Sequence, residues 1–189
     1  YEYEDGAFVR RVDASGTVNH YDEGGNAILV EFLDGSVIEI GYVRDEYGNI
    51  ISIRREYSDG TIEFLSPDGV VMCVLTPDGI FQEYTYNDAG EIIEIVEISA
   101  SSGNIIRHIT YEEIGAGDDL QTIETVIDYV EDTTTQRTYD AEGLLTQTVV
   151  TKADGYTQIY DDMGVLTQTI NPDNIITYYE NSLMKEIVD

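Results

Sequence analysis

Short apolar runs alternate with polar, glycine-marked breaks along the whole chain. Runs such as Ile50–Ile53, Val70–Leu75, Ile92–Ile98 and Leu144–Val150 are rich in β-branched residues, which suit a pleated, half-buried surface. The breaks come mostly every 9 to 13 residues, from Gly6 to Gly164, with Asn174 in the next slot. Six of them are Asp-Gly pairs, beginning at Asp5, Asp34, Asp59, Asp68, Asp78 and Asp154. Asp-Gly between strand-like runs predicts tight two-residue hairpins of type I′, in which both central residues take positive φ. The one long interval, Gly117 to Gly143, fits two ordinary spacings, with Glu131-Asp132 in the missing turn.

Alternation within the runs is incomplete. In residues 91–99, Ile92, Val96 and Ile98 share one face with Glu94, while Ile93 and Ile95 share the other with Glu97. Apolar residues on both faces predict a sheet partly covered on each side, or one that curls over itself. Base lengths imply about 14 to 16 strands of about five residues each. Asp118–Val130 resists: Leu120, Ile123, Val126, Ile127 and Val130 have helical spacing, with Asp118 or Asp119 available as cap. Its β-branched content and the phase of the turns predict a strand instead, so a strand is expected and an inserted helix is the alternative.

The pattern repeats. Tyr139-Asp140 and Tyr160-Asp161 lie 21 residues apart, each followed by a glycine three positions after the aspartate, Gly143 and Gly164. Ala153-Asp154-Gly155 splits the interval into two strands. A shift of 95 residues lays 45–84 on 140–179 without a gap and leaves ten identities, among them Gly48/Gly143, Asp59/Asp154, Gly69/Gly164 and Tyr84/Tyr179. Most of the ten are turn residues, so what recurs is hairpin geometry and not a reactive site.

This unit resembles the tyrosine–aspartate (YD) repeat of Rhs-type proteins, roughly YDxxG, an apolar strand, a DG turn and a strand ending in YD. The likeness is close over 139–181 and looser over 42–103, through RDEYG, SPDG and YNDAG. It implies an all-β fold, an array of consecutive antiparallel β-hairpins wound into a long curled or spiral sheet, with 1–189 as a single repeat domain. In the family such repeats wind shells that can enclose a toxin domain, or form extended extracellular regions. An extracellular or cell-surface location follows from the resemblance. Nothing in the chain matches the family's aspartyl-protease region or a toxin.

Charge narrows the partners. Nine basic against 38 acidic residues give a net charge of −29, a field that repels nucleic acid and anionic membrane surfaces. Such a charge serves solubility, or adaptation to high salt or divalent cations. No run of 18 apolar residues could form a membrane-spanning helix. The chain opens on Tyr1 without a methionine, as expected of a segment of a longer protein. The single cysteine, Cys73, lies in the apolar run VVMCVL and reads as a small buried hydrophobe.

Candidate chemistry is sparse. His20 and His108 lack any metal-ligand spacing, and no nucleophile elbow of the GxSxG kind occurs. Adjacent acids, Glu112-Glu113, Asp118-Asp119 and Asp161-Asp162, are what 38 carboxylates in one chain produce. Calcium is the one cofactor the pattern suggests, at Asp118 and Asp119 or at Asp161 and Asp162, because acidic turns combine carboxylates with backbone carbonyls. Solvated turn acids are the simpler account, since turns favour aspartate for backbone reasons. The 15 tyrosines cluster near strand ends (Tyr84, Tyr86, Tyr139, Tyr160, Tyr178, Tyr179) and read as cross-strand packing. The expectation is a non-enzymatic structural repeat module whose partners are itself or neighbouring repeats through its edge strands. The alternative is a glycan-binding or carbohydrate-active domain using tyrosines and paired carboxylates.

Overall fold

The computed structural model describes residues 2–4, 7–180 and 183–188. The chain divides into two compact units, Tyr1–Glu83 with Ser99–Ser102, and Tyr84–Ile98 with Gly103–Asp189. The first contains β1 (Glu2–Glu4), β2 (Ala7–Val12), β3 (Val18–Tyr21), β4 (Ala27–Glu31), β5 (Val37–Arg44), β6 (Ile50–Tyr57), β7 (Ile62–Leu65) and β8 (Val71–Leu75). Next comes β9 (Ile80–Tyr86), which begins in the first unit and ends in the second. The second contains β10 (Ile92–Ser99) except its last residue, β11 (Ile105–Ile114), β12 (Gln121–Asp128), β13 (Thr133–Tyr139) and β14 (Leu145–Lys152). It continues through β15 (Thr157–Tyr160), β16 (Leu166–Ile170), β17 (Ile176–Glu180) and β18 (Leu183–Val188). Eighteen strands among the described residues exceed the expected 14 to 16, and the class is all-β as predicted. Within each unit every strand pairs antiparallel with its neighbours in the chain.

The hairpins are not type I′ turns. At the turn after β13, Asp140 N–H donates to the Leu144 carbonyl (3.0 Å) and Gly143 N–H to the Asp140 carbonyl (3.0 Å). Only the fourth residue takes positive φ, as at Gly143 (+78°); the preceding residue does not. This is a type I turn closed by a left-handed glycine in a G1 bulge. The same pair of bonds recurs at Asp34-Gly35, where Gly35 N–H reaches the Phe32 carbonyl, and at Asp59-Gly60, where Gly60 N–H reaches that of Tyr57. The aspartate is therefore third in the turn and glycine fourth, so one residue and not two pays the left-handed cost. Asn174 (φ +63°) fills the slot where glycine is missing, and Asp132 (φ +56°) lies in the turn assigned from sequence to Glu131-Asp132.

Over β1–β8 and β13–β18 the turns come in two alternating kinds; between them β10–β11 slips at Glu97/Ile98, while β11–β12 and β12–β13 both run without a slip. After β3, β5, β7, β13 and β15 the register slips by one residue just before the turn, at His20/Tyr21, Val43/Arg44, Phe64/Leu65, Thr138/Tyr139 and Ile159/Tyr160. After β2, β4, β6, β14 and β16 the ladder runs into the turn without a slip. The tyrosine of the YD pair is the last paired residue before a bulged turn; Arg44 and Leu65 hold that slot in β5 and β7. In the second unit the residue bulged out opposite is Thr146 or Thr167, and each hydroxyl donates back to a strand carbonyl, Thr138 (3.0 Å) and Ile159 (3.1 Å). A two-strand repeat with unlike ends explains the period near 21 residues.

Residues 121–128 are strand, not helix: β12 pairs along its length with β11 and β13. The helical spacing of its apolar residues is overridden because two flanking strands supply a ladder for every peptide group. Before it lies a 3-10 turn, Gly117–Asp119. No helix among the described residues is long and apolar enough to cross a membrane.

Burial is thin on both faces. Among the described residues Leu65 (1% exposed) is the one fully buried hydrophobe. Most strand residues are half-buried, so stability rests on ladders and cross-strand pairs more than on a deep core. Leu65→Ala should cost about 2–5 kcal/mol, the usual range for a buried leucine, measurable by denaturant unfolding. Gly143→Ala should cost about 1–2 kcal/mol from its left-handed backbone, and Gly143→Asn less, as Asn174 already tolerates that conformation.

Candidate functional site

The turns hold most of the acids, and hydrogen bonding explains why they are there. At the turns after β5, β9 and β15 the first residue is an Asx acceptor. Asp45 Oδ1 accepts N–H bonds from Tyr47 (2.9 Å) and Asn49 (2.8 Å), and Asp161 Oδ1 from Met163 (3.0 Å) and Val165 (2.8 Å). Asn87 Oδ1 does the same for Ala89 and Glu91. At the turns after β4 and β14 the Asp before the glycine accepts from two residues on, Asp34 from Ser36 (2.9 Å) and Asp154 from Tyr156 (2.9 Å). Donated hydrogen bonds hold several of these carboxyls below the usual range: Ser15 at Asp13, Asn26 at Asp22, Ser36 at Asp34, Asn49 at Asp45 and Thr61 at Asp59.

The calcium candidates fall in separate turns. Asp161 and Asp162 follow β15, and Asp161 is committed to the backbone bonds above. Asp119 lies in the 3-10 turn before β12; the side chain of Asp118 lies outside the described residues. Among the described residues no three His, Cys, Asp or Glu side chains converge on a point where an ion could sit.

Charged side chains converge instead across β10–β13. Arg107 stands opposite Glu97 on β10 and Asp128 on β12 and bonds both, Nη1 to Glu97 Oε2 at 3.0 Å and Nη2 to Asp128 Oδ2 at 3.4 Å. Two rows along the same face, Arg137 pairs with Glu124, which also accepts from the Tyr111 hydroxyl at 3.5 Å. Between the rows lie Ile109, Val126 and Thr135, flooring a shallow trough of about 370 Å³. The carboxylate of Glu124 raises the Arg137 pKa; burial first, then Glu124, raises those of Tyr111 and Tyr139. Sequence spacing missed this cluster because its members are 10 to 21 residues apart; only the register brings them together.

The trough lacks the geometry of a hydrolytic carboxylate pair. Glu124 and Asp128 are four residues apart on one strand, about 13 Å at the usual rise per residue, beyond the roughly 5–9.5 Å that glycoside hydrolysis uses. Glu97 and Asp128 are closer, but the Arg107 guanidinium fills the space between them.

Both histidines face glutamates across the ladder: His20 Nε2 meets Glu31 at 3.0 Å and His108 Nε2 meets Glu94 at 2.7 Å. His108, then Thr85, holds the Glu94 carboxyl below its usual range. Cys73 is half-buried, and burial, aided by Glu83, pushes its thiol up, away from the thiolate a nucleophile needs. Tyrosine hydroxyls anchor strands: Tyr42 donates to the Ala27 carbonyl (2.8 Å) and Tyr57 to Glu63 (2.7 Å).

No family model matches the chain, and no curated protein does. Among solved structures it is similar to a Tc holotoxin pore of Photorhabdus luminescens, with 17% identity over 86% of this chain and a TM-score of 0.40. The match spans 9% of that much longer chain. It is also similar to a porin-like protein of Bacteroides uniformis, with 11% identity, TM-score 0.37, 90% of this chain and 86% of that one. The TCP10 domain of Danio rerio CPAP matches with 17% identity, TM-score 0.26, 86% of this chain and 98% of that one.

The lowered turn aspartates set a pH dependence. Their folded-state pKa lies below the unfolded one, so their contribution is complete above the unfolded value and is lost as pH falls through the folded value. Melting temperature should therefore drop on acidification below about pH 4. Asp45→Asn keeps the acceptor and removes one titrating group, so its melting temperature should fall less over that range than wild type; Asp45→Ala should melt lower at neutral pH.

Proposed function

We propose that this chain is a non-enzymatic structural repeat module of the YD type, a segment of an extracellular or cell-surface assembly that extends by adding strands. The observation that carries the reading is the alternation of bulged and unbulged hairpins over β1–β8 and again over β13–β18. Hydrogen bonds spent on turn geometry (Asp45, Asn87, Asp161) and on strand anchoring (Tyr42, Thr146, Thr167) serve a periodic sheet. The charged groups of the trough are engaged with one another and hold β10–β13 in register, which supports a structural role for them as well. The net charge of −29 keeps such a sheet soluble while its edges remain open to addition.

The alternative, a carbohydrate-active domain, would need two carboxylates free to act on one bond, and in the trough an arginine is paired with each candidate. Light scattering and electron microscopy on the purified chain should reveal assemblies that grow with concentration. Added salt should promote them by screening like charges over about 8 Å at physiological ionic strength. A compact monomer under all these conditions, or measurable turnover of an oligosaccharide, would overturn the reading.

A further inference from the structure

Asp-Gly pairs carry a chemistry of their own, and the described residues hold them at Asp34, Asp59, Asp68, Asp78 and Asp154. The glycine nitrogen can attack the aspartyl carboxyl carbon, forming a C–N bond and expelling water to close a succinimide ring. Water then reopens the ring. Opening at the main-chain carbonyl leaves isoaspartate, whose backbone runs through Cβ and Cγ. The electrophile is the neutral carboxyl, so hydrogen bonds that favour the carboxylate slow the closure.

The glycine is held alike in all five turns, its N–H donating to the carbonyl of the first turn residue at 2.9 to 3.0 Å. What differs is the carboxylate. Where the first turn residue is Phe32, Tyr57 or Lys152, the aspartate accepts the N–H two residues on. Asp34 accepts from Ser36 (2.9 Å), Asp59 from Thr61 (2.8 Å) and Asp154 from Tyr156 (2.9 Å). Where the first residue is Ser66 or Thr76, a hydroxyl takes that N–H instead. Ser66 Oγ accepts from Val70 (3.1 Å) and Thr76 Oγ1 from Ile80 (3.0 Å). Thr76 Oγ1 also donates to the Asp78 carboxylate. No such bond reaches Asp68, whose side chain accepts nothing among the described residues. Otherwise the two turns match: both read Pro-Asp-Gly, with glycine φ of +85° and +82°. Asp68 and Gly69 are exposed, and the space beside Gly69 is open.

We infer that Asp68-Gly69 is a site of spontaneous isoaspartate formation in the folded chain, a modification that the other four Asp-Gly turns suppress. The product adds a methylene to the backbone of the β7–β8 loop. That loop is closed by Ser66 N–H on the Val70 carbonyl (2.8 Å) and Gly69 N–H on that of Ser66 (3.0 Å), and both bonds must then span a longer path. Leu65, the one fully buried hydrophobe among the described residues, pairs with Val71 beside it. Isomerisation therefore loosens the hairpin at its buried leucine. It is independent of the assembly proposed above, and a monomeric chain would still undergo it.

The test incubates the full chain for weeks at neutral pH, folded and in urea, and follows each Asp-Gly peptide by electron-transfer mass spectrometry. In urea Asp68 and Asp78 should convert at matching rates. In the folded chain Asp68 should convert at least about tenfold faster than Asp78, the factor that one hydrogen bond to a charged group represents. Ser66→Ala frees the Val70 N–H for the Asp68 carboxylate and should slow its conversion to the rate of Asp34, Asp59 and Asp154. Asp68→Glu, which would have to close a larger ring, should stay unmodified and keep its melting temperature through an incubation that lowers the wild type's. Absence of conversion at Asp68 in the folded chain, equal folded-state rates at Asp68 and Asp78, or a rate that does not fall in Ser66→Ala would each overturn the proposal.

Discussion

The left-handed backbone at the fourth position of each turn is the constraint on which the hairpins depend. At Gly35, Gly60 and Gly143 φ lies between 78° and 91°, a region that costs an ordinary residue about 1–2 kcal/mol. With that residue in place, the first turn residue can bond the fifth and the fourth can bond the first. The strands then leave the turn with the right-handed twist a ladder needs. The Asx side chains of Asp45, Asn87, Asp140 and Asp161 reinforce the same loop from the inside. Acid is abundant in this chain partly because this loop has a place for it.

Above the turns, stability is distributed. With Leu65 the one fully buried hydrophobe among the described residues, no central core dominates, and each strand is held by the two beside it. Cross-strand side chains carry part of that load. Glu97, Arg107 and Asp128 form a row over three strands, and Arg137 with Glu124 and Tyr111 forms another. Pairs this exposed contribute modestly to stability; their larger effect is on register, since a slip of one residue would place Arg107 on the opposite face from Glu97 and Asp128. The charged groups of these two rows thus hold β10–β13 in register.

Much of the architecture was legible in the residues. The glycine spacing, the Tyr-Asp pairs and the β-branched runs named an all-β array of hairpins. The gap before Gly143 located the turn at Glu131-Asp132, and Asn174 was identified as a stand-in for glycine. These are local signals, written by the conformational demands of a few adjacent residues. The turn type was misread, because Asp-Gly fits both a two-residue turn and the last half of a longer one, and only the paired bonds across five residues distinguish them. Helical spacing in 120–130 was a similar ambiguity, resolved by the ladders on either side of β12. The charged rows across β10–β13 could not be read from sequence at all. They depend on register, which couples residues 10 to 21 positions apart, and register exists only once the strands have paired.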